Sequence, residues 1–144
     1  MISRSSIVAA ARDWLGTPYL HQASLKGVGT DCLGLVRGVW REVKGVEPEM
    51  APAYSASWAE AGPGDALAVA AARHLTNVPL ADFTAGDVLL FRWRPHLPAK
   101  HAGIASSEST MIHAQDHAAV TEIALSSWWT RHLALAFRFP GVAD

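Results

Sequence analysis

Three residues carry most of the possible chemistry, and the first is Cys32. It is the only cysteine among 144 residues, so it has no intrachain disulfide partner. Apolar residues recur after it at helical spacing, which predicts an amphipathic helix from Cys32 to about Lys44. Asp31 is suited to cap this helix, and the free N–H groups of a first turn favour a thiolate. The pattern indicates a nucleophilic cysteine, with a small buried side chain as the alternative.

His101 and His113 are the other two residues. Each lies in a short β-like segment, and the polar stretch 106–108 between the segments predicts a hairpin. A turn over these three residues would pair position 105 with 109, 103 with 111 and 101 with 113. The two histidines would then be direct cross-strand neighbours on one face. Small residues on that face would let it close against the glycine face of the Cys32 helix.

A thiol at a helix start, an imidazole beside it and a second imidazole behind the first form the nucleophile, base and orienting group of covalent catalysis. Two alternatives stay open on the residues alone. The histidines could be structural, or Cys32 and the two histidines could bind zinc. Zinc is the weaker idea, because no short-spaced ligand pair accompanies the cysteine. We therefore expect neither a metal nor another cofactor.

The composition limits the classes of protein to which this chain can belong. Half of the residues are hydrophobic and 17% are charged, which predicts one folded domain over residues 1–144. A net charge of −1 argues against a nucleic-acid partner. The longest wholly apolar run, Ala66–Ala72, is far shorter than the roughly 20 residues of a membrane span, so we expect no membrane insertion. The first residues lack the layout of a signal peptide, so we expect synthesis in the cytoplasm without one.

The remaining elements predict an α+β domain, with N-terminal helices packed on a C-terminal antiparallel sheet. Gly34 and Gly38 lie on one face of the Cys32 helix and predict close approach by another backbone. The region 46–64 is a long connection in which Tyr54 and Trp58 are groove walls, a docking surface or lids over the core. The other predicted elements are a helix from Ser3 or Ser5 to Leu15 with apolar residues Ile7, Val8, Ala11, Trp14 and Leu15, a loop over Tyr19–Thr30, a helix over Asp65–Thr76, strands over Val88–Trp93, His101–Ser106, Thr110–Gln115, Ala119–Ala124 and Leu133–Phe139, and a helical turn over Ser126–Arg131.

Five short stretches of the chain form a recognisable set. They are Gly16-Thr-Pro-Tyr19, Asp31-Cys-Leu-Gly-Leu-Val36, Gly86-Asp-Val-Leu89, His101-Ala-Gly-Ile104 and Met111-Ile-His-Ala114. In order and in spacing, over roughly residues 5–125, they resemble the NlpC-type cell-wall cysteine peptidases. Within that family the loop Tyr19-Leu-His-Gln-Ala-Ser24 is most similar to the small single-domain members of bacteriophage and gene transfer agent tails.

The resemblance implies a papain-like fold and a triad of Cys32 as nucleophile, His101 as base and His113 as the residue that orients it. It also implies that the backbone N–H of Cys32 lies on the oxyanion and substrate side of the site, together with Tyr19 and Asp31. Two departures affect this side. Leu33 stands where the family often has serine, and Leu20-His21-Gln22 replaces the usual glycine pair.

For function, the resemblance implies a peptidoglycan endopeptidase that cuts stem peptides, usually between γ-D-glutamyl and diaminopimelyl residues. Its partners would be phage-like tail or tail-tip proteins, and it would act in the periplasm or cell wall to open a path for DNA. Two alternatives stay open. One is a structural tail component with a dormant site and a docking surface that includes Trp128 and Trp129, and the other is a related cysteine amidase or acyltransferase.

Overall fold

The computed structural model describes residues 2–48 and 65–144. Tyr54 and Trp58 lie outside the described residues, so the three interpretations of their region stay predictions. None of the described helices is long and apolar enough to span a membrane.

Helices and strands follow the predicted order, with helices mainly in the first half. The described helices are α1 (Arg4–Arg12), α2 (Cys32–Val43), α3 (Ala66–His74) and α4 (Ser127–His132), with a 3₁₀ turn at Leu80–Asp82. The described strands are β1 (Ser24–Leu25), β2 (Gly29–Thr30), β3 (Thr76–Val78), β4 (Val88–Phe91), β5 (His101–Ala105), β6 (Thr110–His113), β7 (Thr121–Ala124) and β8 (Leu133–Arg138).

Six strands form one antiparallel sheet in the order β3-β8-β4-β5-β6-β7. Strands β1 and β2 pair separately and close a small hairpin in front of α2. The α+β class is therefore confirmed. The central strands β4 and β5 are buried along their whole length, which fits a sheet covered on both faces.

The two faces of the sheet bury different groups of side chains. Ile104 and Ile112 lie in one apolar cluster with Leu35 of α2. Ala105 and Met111 lie in a second cluster, with Trp129 of α4. The expectation that the face of His101 closes against α2 is therefore wrong. The larger aliphatic residues of β5 and β6 alternate onto the opposite face, and that face is the one the helix covers.

Glycines allow the close approach at α2. A methyl group at Gly34 would lie 2.0 Å from the backbone oxygen of Ala23, and one at Gly38 would lie 2.0 Å from the Trp14 indole. The predicted backbone approach is confirmed at Gly34, whereas at Gly38 the neighbour is a side chain of the segment after α1.

A buried carboxylate joins the first helix to the sheet. Asp87, immediately before β4, accepts two hydrogen bonds from Arg138 of β8, at 2.9 and 2.8 Å. Arg4 of α1 donates to the same carboxylate at 3.2 Å, and the backbone N–H of Thr84 donates at 3.0 Å. Removal of one partner of such a buried ion pair generally costs several kcal/mol, so this contact ties α1 to the strands that flank the site.

Several predicted strand ends are off by one or two residues, and three other predictions differ more clearly from the structure. The first helix ends at Arg12, and Leu15 is exposed, because the chain turns at residues 13–16. The helix predicted over Asp65–Thr76 ends at His74, and Thr76 begins β3, whose pairing partner β8 is distant in sequence. The segment Tyr19–Thr30, predicted as a loop, contains the hairpin of β1 and β2.

We predict that Gly38→Ala lowers the free energy of unfolding by about 1–3 kcal/mol, because the added methyl group overlaps the Trp14 indole. Urea denaturation measures this change. In a Trp14→Leu background the same substitution should cost clearly less, since the far part of the ring is gone. The exposed Glu42→Ala in the same helix is the control, with a change within about 0.5 kcal/mol. An equal cost of Gly38→Ala in both backgrounds would contradict the contact.

Candidate active site

Asp31 and Cys32 form the start of α2. The Asp31 carboxylate accepts the backbone N–H of Gly34 at 2.8 Å, which is the predicted N-cap. Its other oxygen accepts the backbone N–H of Gln22 at 2.7 Å. Gln22 has a positive φ of 66°, an unfavourable backbone conformation that this hydrogen bond helps to hold. Because its oxygens accept backbone N–H groups, Asp31 positions the helix and the loop, and it cannot donate to an oxyanion.

Cys32 is half-buried in the first turn of α2. Its sulfur lies close enough to the backbone N–H groups of Ala102 and Leu33 to accept hydrogen bonds from them. Ala102 directly follows His101, so the thiol meets β5 at the residue next to the predicted base. This contact brings the start of α2 to the start of β5.

The environment of Cys32 opposes the predicted thiolate. Burial raises the pKa of Cys32 to about 12, and the Asp31 carboxylate adds to the rise. The hydrogen bond from Ala102 acts in the opposite direction but is outweighed. The expectation from the helix dipole is therefore wrong for the resting protein, because burial disfavours the charged thiolate and the capping carboxylate puts a negative charge at the same helix end.

His101 begins β5 and His113 ends β6, and their rings are in contact. Nε2 of His101 and Nδ1 of His113 are 2.8 Å apart, with the ring planes almost perpendicular. Gly103 lies directly opposite His113 in the sheet. Because Gly103 carries no side chain, the His113 ring can reach diagonally across to His101.

The predicted hairpin register is wrong by two residues. Gly103 pairs with His113 and Ala105 with Met111, so the turn covers residues 107–109, one later than predicted. The Thr110 hydroxyl bonds the Ser106 and Ser107 hydroxyls at 2.7 and 2.6 Å and helps to hold this turn. A shift of two residues keeps every side chain on its face, so the prediction that both histidines share one face is confirmed.

Aromatic rings enclose the histidine pair. His101 stacks on Trp93 with 5.7 Å between ring centroids, and Phe91 and Trp129 contact it at 6.0 and 5.5 Å. Burial, together with His113, lowers the pKa of His101 to about 3, and burial lowers the pKa of His113 to about 4. Both imidazoles are therefore neutral at neutral pH, as a group that must accept a proton has to be.

The hydrogen bond between two neutral imidazoles has one donor and one acceptor. If Nε2–H of His101 donates to Nδ1 of His113, the Nδ1 lone pair of His101 is left to take a proton from the thiol. The opposite direction would put the proton of His101 on Nδ1 and remove the base. A catalytic His101 would therefore require His113 to be the acceptor, and burial, which lowers the pKa of His113, keeps its ring neutral for that role.

Tyr19 lies near Cys32. Burial raises the pKa of its hydroxyl, and a hydrogen bond with Asp116 raises it further. Cys32 and Asp31 are close enough to Tyr19 to add to this effect. Tyr19 therefore stays a neutral O–H donor beside the thiol, and Asp116 holds its proton in the resting site.

Of the predicted site residues, the structure places His113 against His101 and places Asp31 and Tyr19 near Cys32, whose sulfur meets the backbone of Ala102 next to His101. It also adds residues that sequence reasoning missed. These residues are Asp116, which no sequence pattern indicated, and Trp93, which the sequence predicts only as part of a strand. The concentration of tryptophans and histidines in residues 93–132 could have indicated that aromatic rings surround the histidine pair. Among the described residues, no three potential metal ligands converge, so the zinc alternative has no ligand set there.

Comparison with solved structures shows the fold. The NlpC/p60 domain of the peptidoglycan hydrolase SagA matches with a TM-score of 0.66 and 23% identity, over 96% of this chain and all of that one. An NlpC/P60 family protein from Bacillus cereus has a TM-score of 0.70, 19% identity and coverage of 96% and 40%. A lipoprotein-like NLP/P60 protein from Staphylococcus aureus has a TM-score of 0.64, 20% identity and coverage of 98% and 42%.

The chain thus spans the whole SagA domain but only about two fifths of the other two proteins. These neighbours confirm a papain-like cysteine peptidase fold. No curated protein shows a significant sequence match to the chain. The NlpC/P60 family model matches residues 16–138, which include Cys32, His101 and His113, and the chain therefore belongs to the NlpC/P60 family.

Proposed function

We propose that this protein is a peptidoglycan endopeptidase that cuts stem peptides by thiol chemistry. The observation that carries the proposal is the contact of Cys32 with the residue after His101, whose ring is hydrogen-bonded to His113 at 2.8 Å. One structural neighbour is described as a peptidoglycan hydrolase, which supports the choice of substrate class.

The first half of the reaction forms a thioester. Nδ1 of His101 takes the Cys32 proton as the sulfur attacks the carbonyl carbon of the scissile amide. The carbonyl oxygen becomes an oxyanion, which the backbone N–H of Cys32 and the Tyr19 hydroxyl can stabilise. His101 then gives the proton to the departing nitrogen, the C–N bond breaks, and the product amine leaves.

The second half hydrolyses the thioester. His101 takes a proton from water, whose oxygen attacks the thioester carbonyl. When the C–S bond breaks, His101 returns the proton to sulfur and a carboxylic acid product leaves. Since the pKa of Cys32 is raised and that of His101 is lowered, the resting pair is neutral, and proton transfer accompanies attack.

The finer parts of the proposal come from the resemblance of the loop Tyr19–Ser24 and the site motifs. The bond would be that between γ-D-glutamyl and diaminopimelyl residues. The protein would be a component of a phage-like tail, in contact with tail or tail-tip proteins, and it would act in the periplasm or cell wall during DNA delivery.

A second candidate is a structural tail component with a dormant site. The raised pKa of Cys32 favours it, because a thiol that stays protonated is a weak nucleophile without a working base. A cysteine amidase or acyltransferase acting on another amide would share the same site, and its products distinguish it.

We predict that Cys32→Ala and His101→Ala each lower the cleavage of a defined muropeptide by about 10³-fold or more, because each removes a reacting group. His113→Ala should lower it less, and His113→Gln should restore part of the loss, since the amide oxygen can accept from His101. Chromatography with mass spectrometry measures the rates and identifies the bond.

The exposed His96→Ala is the matched histidine control and should keep the wild-type rate. Circular dichroism checks that each variant is folded. Wild-type rates in Cys32→Ala would refute the mechanism. A folded wild-type protein that cleaves no muropeptide would favour the dormant component, and new amide products would favour the acyltransferase.

For the tail assignment, we predict that the protein cosediments with phage-like particles from producing cells. Density-gradient fractions probed with an antibody against this chain measure the association. If all of the protein were found in fractions that contain no particles, the tail assignment would be contradicted. The enzymatic proposal would not be affected.

A further inference from the structure

A group of aromatic rings continues from the catalytic histidine toward the surface. Trp93 stacks on His101 and contacts Trp128, with 5.7 Å between ring centroids in each pair. Trp128 stacks on His132 at 4.1 Å and 24° between ring planes. We call Trp93, Trp128 and His132 the aromatic shelf. Trp93 helps to bury His101, but hydrolysis of an amide needs no ring beyond that enclosure, so the mechanism leaves Trp128 and His132 without a role.

The shelf is held rigidly. The Nδ1–H of His132 donates to the backbone oxygen of Trp128 at 2.6 Å, which fixes the imidazole against the indole within one turn of α4. The Trp129 ring lies almost perpendicular to that of Trp128, with 4.9 Å between centroids, and it also contacts His101. Rings that are held in this way lose little freedom when a ligand binds.

The exposed part of the shelf is small. Trp128 is 43% exposed, and Arg131, which lies three residues further along the same helix and therefore on the same side of it, is also exposed. One indole is far too small for a stable protein interface, which buries about 800 Å² per partner. A single pyranose ring matches it better, because a sugar has apolar C–H faces and a rim of hydroxyls.

We propose that the aromatic shelf binds a sugar ring of the peptidoglycan to which the stem peptide is attached. The proposal rests on the proposed function and adds a saccharide subsite to it. The substrate class then narrows to stem peptides still joined to their amino sugar, with the sugar stacked on Trp128 and the peptide leading to Cys32.

The reach of the substrate agrees with this assignment. The centroid distances from His101 to Trp93 and from Trp93 to Trp128 place the Trp128 ring centroid at most about 11 Å from that of His101. In a stem peptide, two residues and a lactyl group separate the γ-glutamyl carbonyl from the sugar, and three extended units span roughly 10 Å. A sugar on the shelf therefore fits a scissile carbonyl at the catalytic pair.

The test compares two substrates that share one scissile bond, a free stem tetrapeptide and the same tetrapeptide on its disaccharide. For each protein variant, the ratio of kcat/KM for the disaccharide substrate to kcat/KM for the free peptide is measured. This ratio cancels any effect on His101 itself. We expect wild type to prefer the disaccharide, and Trp128→Ala to lower the ratio about tenfold, mainly through KM, with Trp128→Tyr restoring most of it. Trp40→Phe is the tryptophan control, because Trp40 contacts Phe139 instead of the shelf.

Binding gives a readout that does not depend on turnover. In Cys32→Ala protein, the indole N–H resonance of Trp128 should shift on addition of the disaccharide tetrapeptide and of the disaccharide alone, and far less with the free peptide. If wild type cleaves neither substrate, the proposed function fails and this titration alone decides on the shelf. An unchanged ratio in Trp128→Ala, or a disaccharide that leaves the Trp128 resonance in place, overturns the proposal.

Discussion

The hydrogen bond between His101 and His113 is the interaction on which the rest of the site depends. At 2.8 Å between Nε2 and Nδ1, it decides which nitrogen of His101 carries a proton and therefore whether the ring can act as a base toward Cys32. The bond requires a neutral His113, because its Nδ1 must accept the proton of His101, and burial, which lowers the pKa of His113 to about 4, supplies that condition. The same buried histidine pair thus contributes to the packing of the sheet and to the proposed proton transfer.

The fold can be understood as the support for this pair and for the thiol opposite it. Gly103 lets His113 reach across β5, and Gly34 lets the loop before α2 come close enough for Asp31 to hold both. The same Asp31 that places Cys32 also makes its thiolate less favourable. The resting site therefore holds Cys32 in place without a preformed charge, and the proposed mechanism relies on His101 to remove the proton at the moment of attack.

Local patterns in the sequence were sufficient for much of this. The cap at Asp31, the helix after Cys32 and the shared face of the two histidines follow from spacing alone, since each depends on neighbours within a few residues. The predictions that were wrong concern features that depend on contacts between residues distant in sequence. The edge strand β3 exists only because β8 pairs with it, and the face of the sheet that α2 covers is set by the packing of Ile104 and Ile112. The pKa of Cys32 likewise follows from burial, which no spacing reveals.

Nitrogen-15 NMR of the two histidines at neutral pH tests the central claim most directly. The proposed mechanism requires that His101 carries its proton on Nε2 and His113 on its own Nε2, and we expect both rings to stay neutral down to about pH 5, since the two pKa values lie near 3 and 4. The protein unfolded in urea provides the reference, in which both should titrate near the ordinary value of about 6.5. A proton on Nδ1 of His113, or an imidazolium signal from either ring at pH 7, would contradict the account.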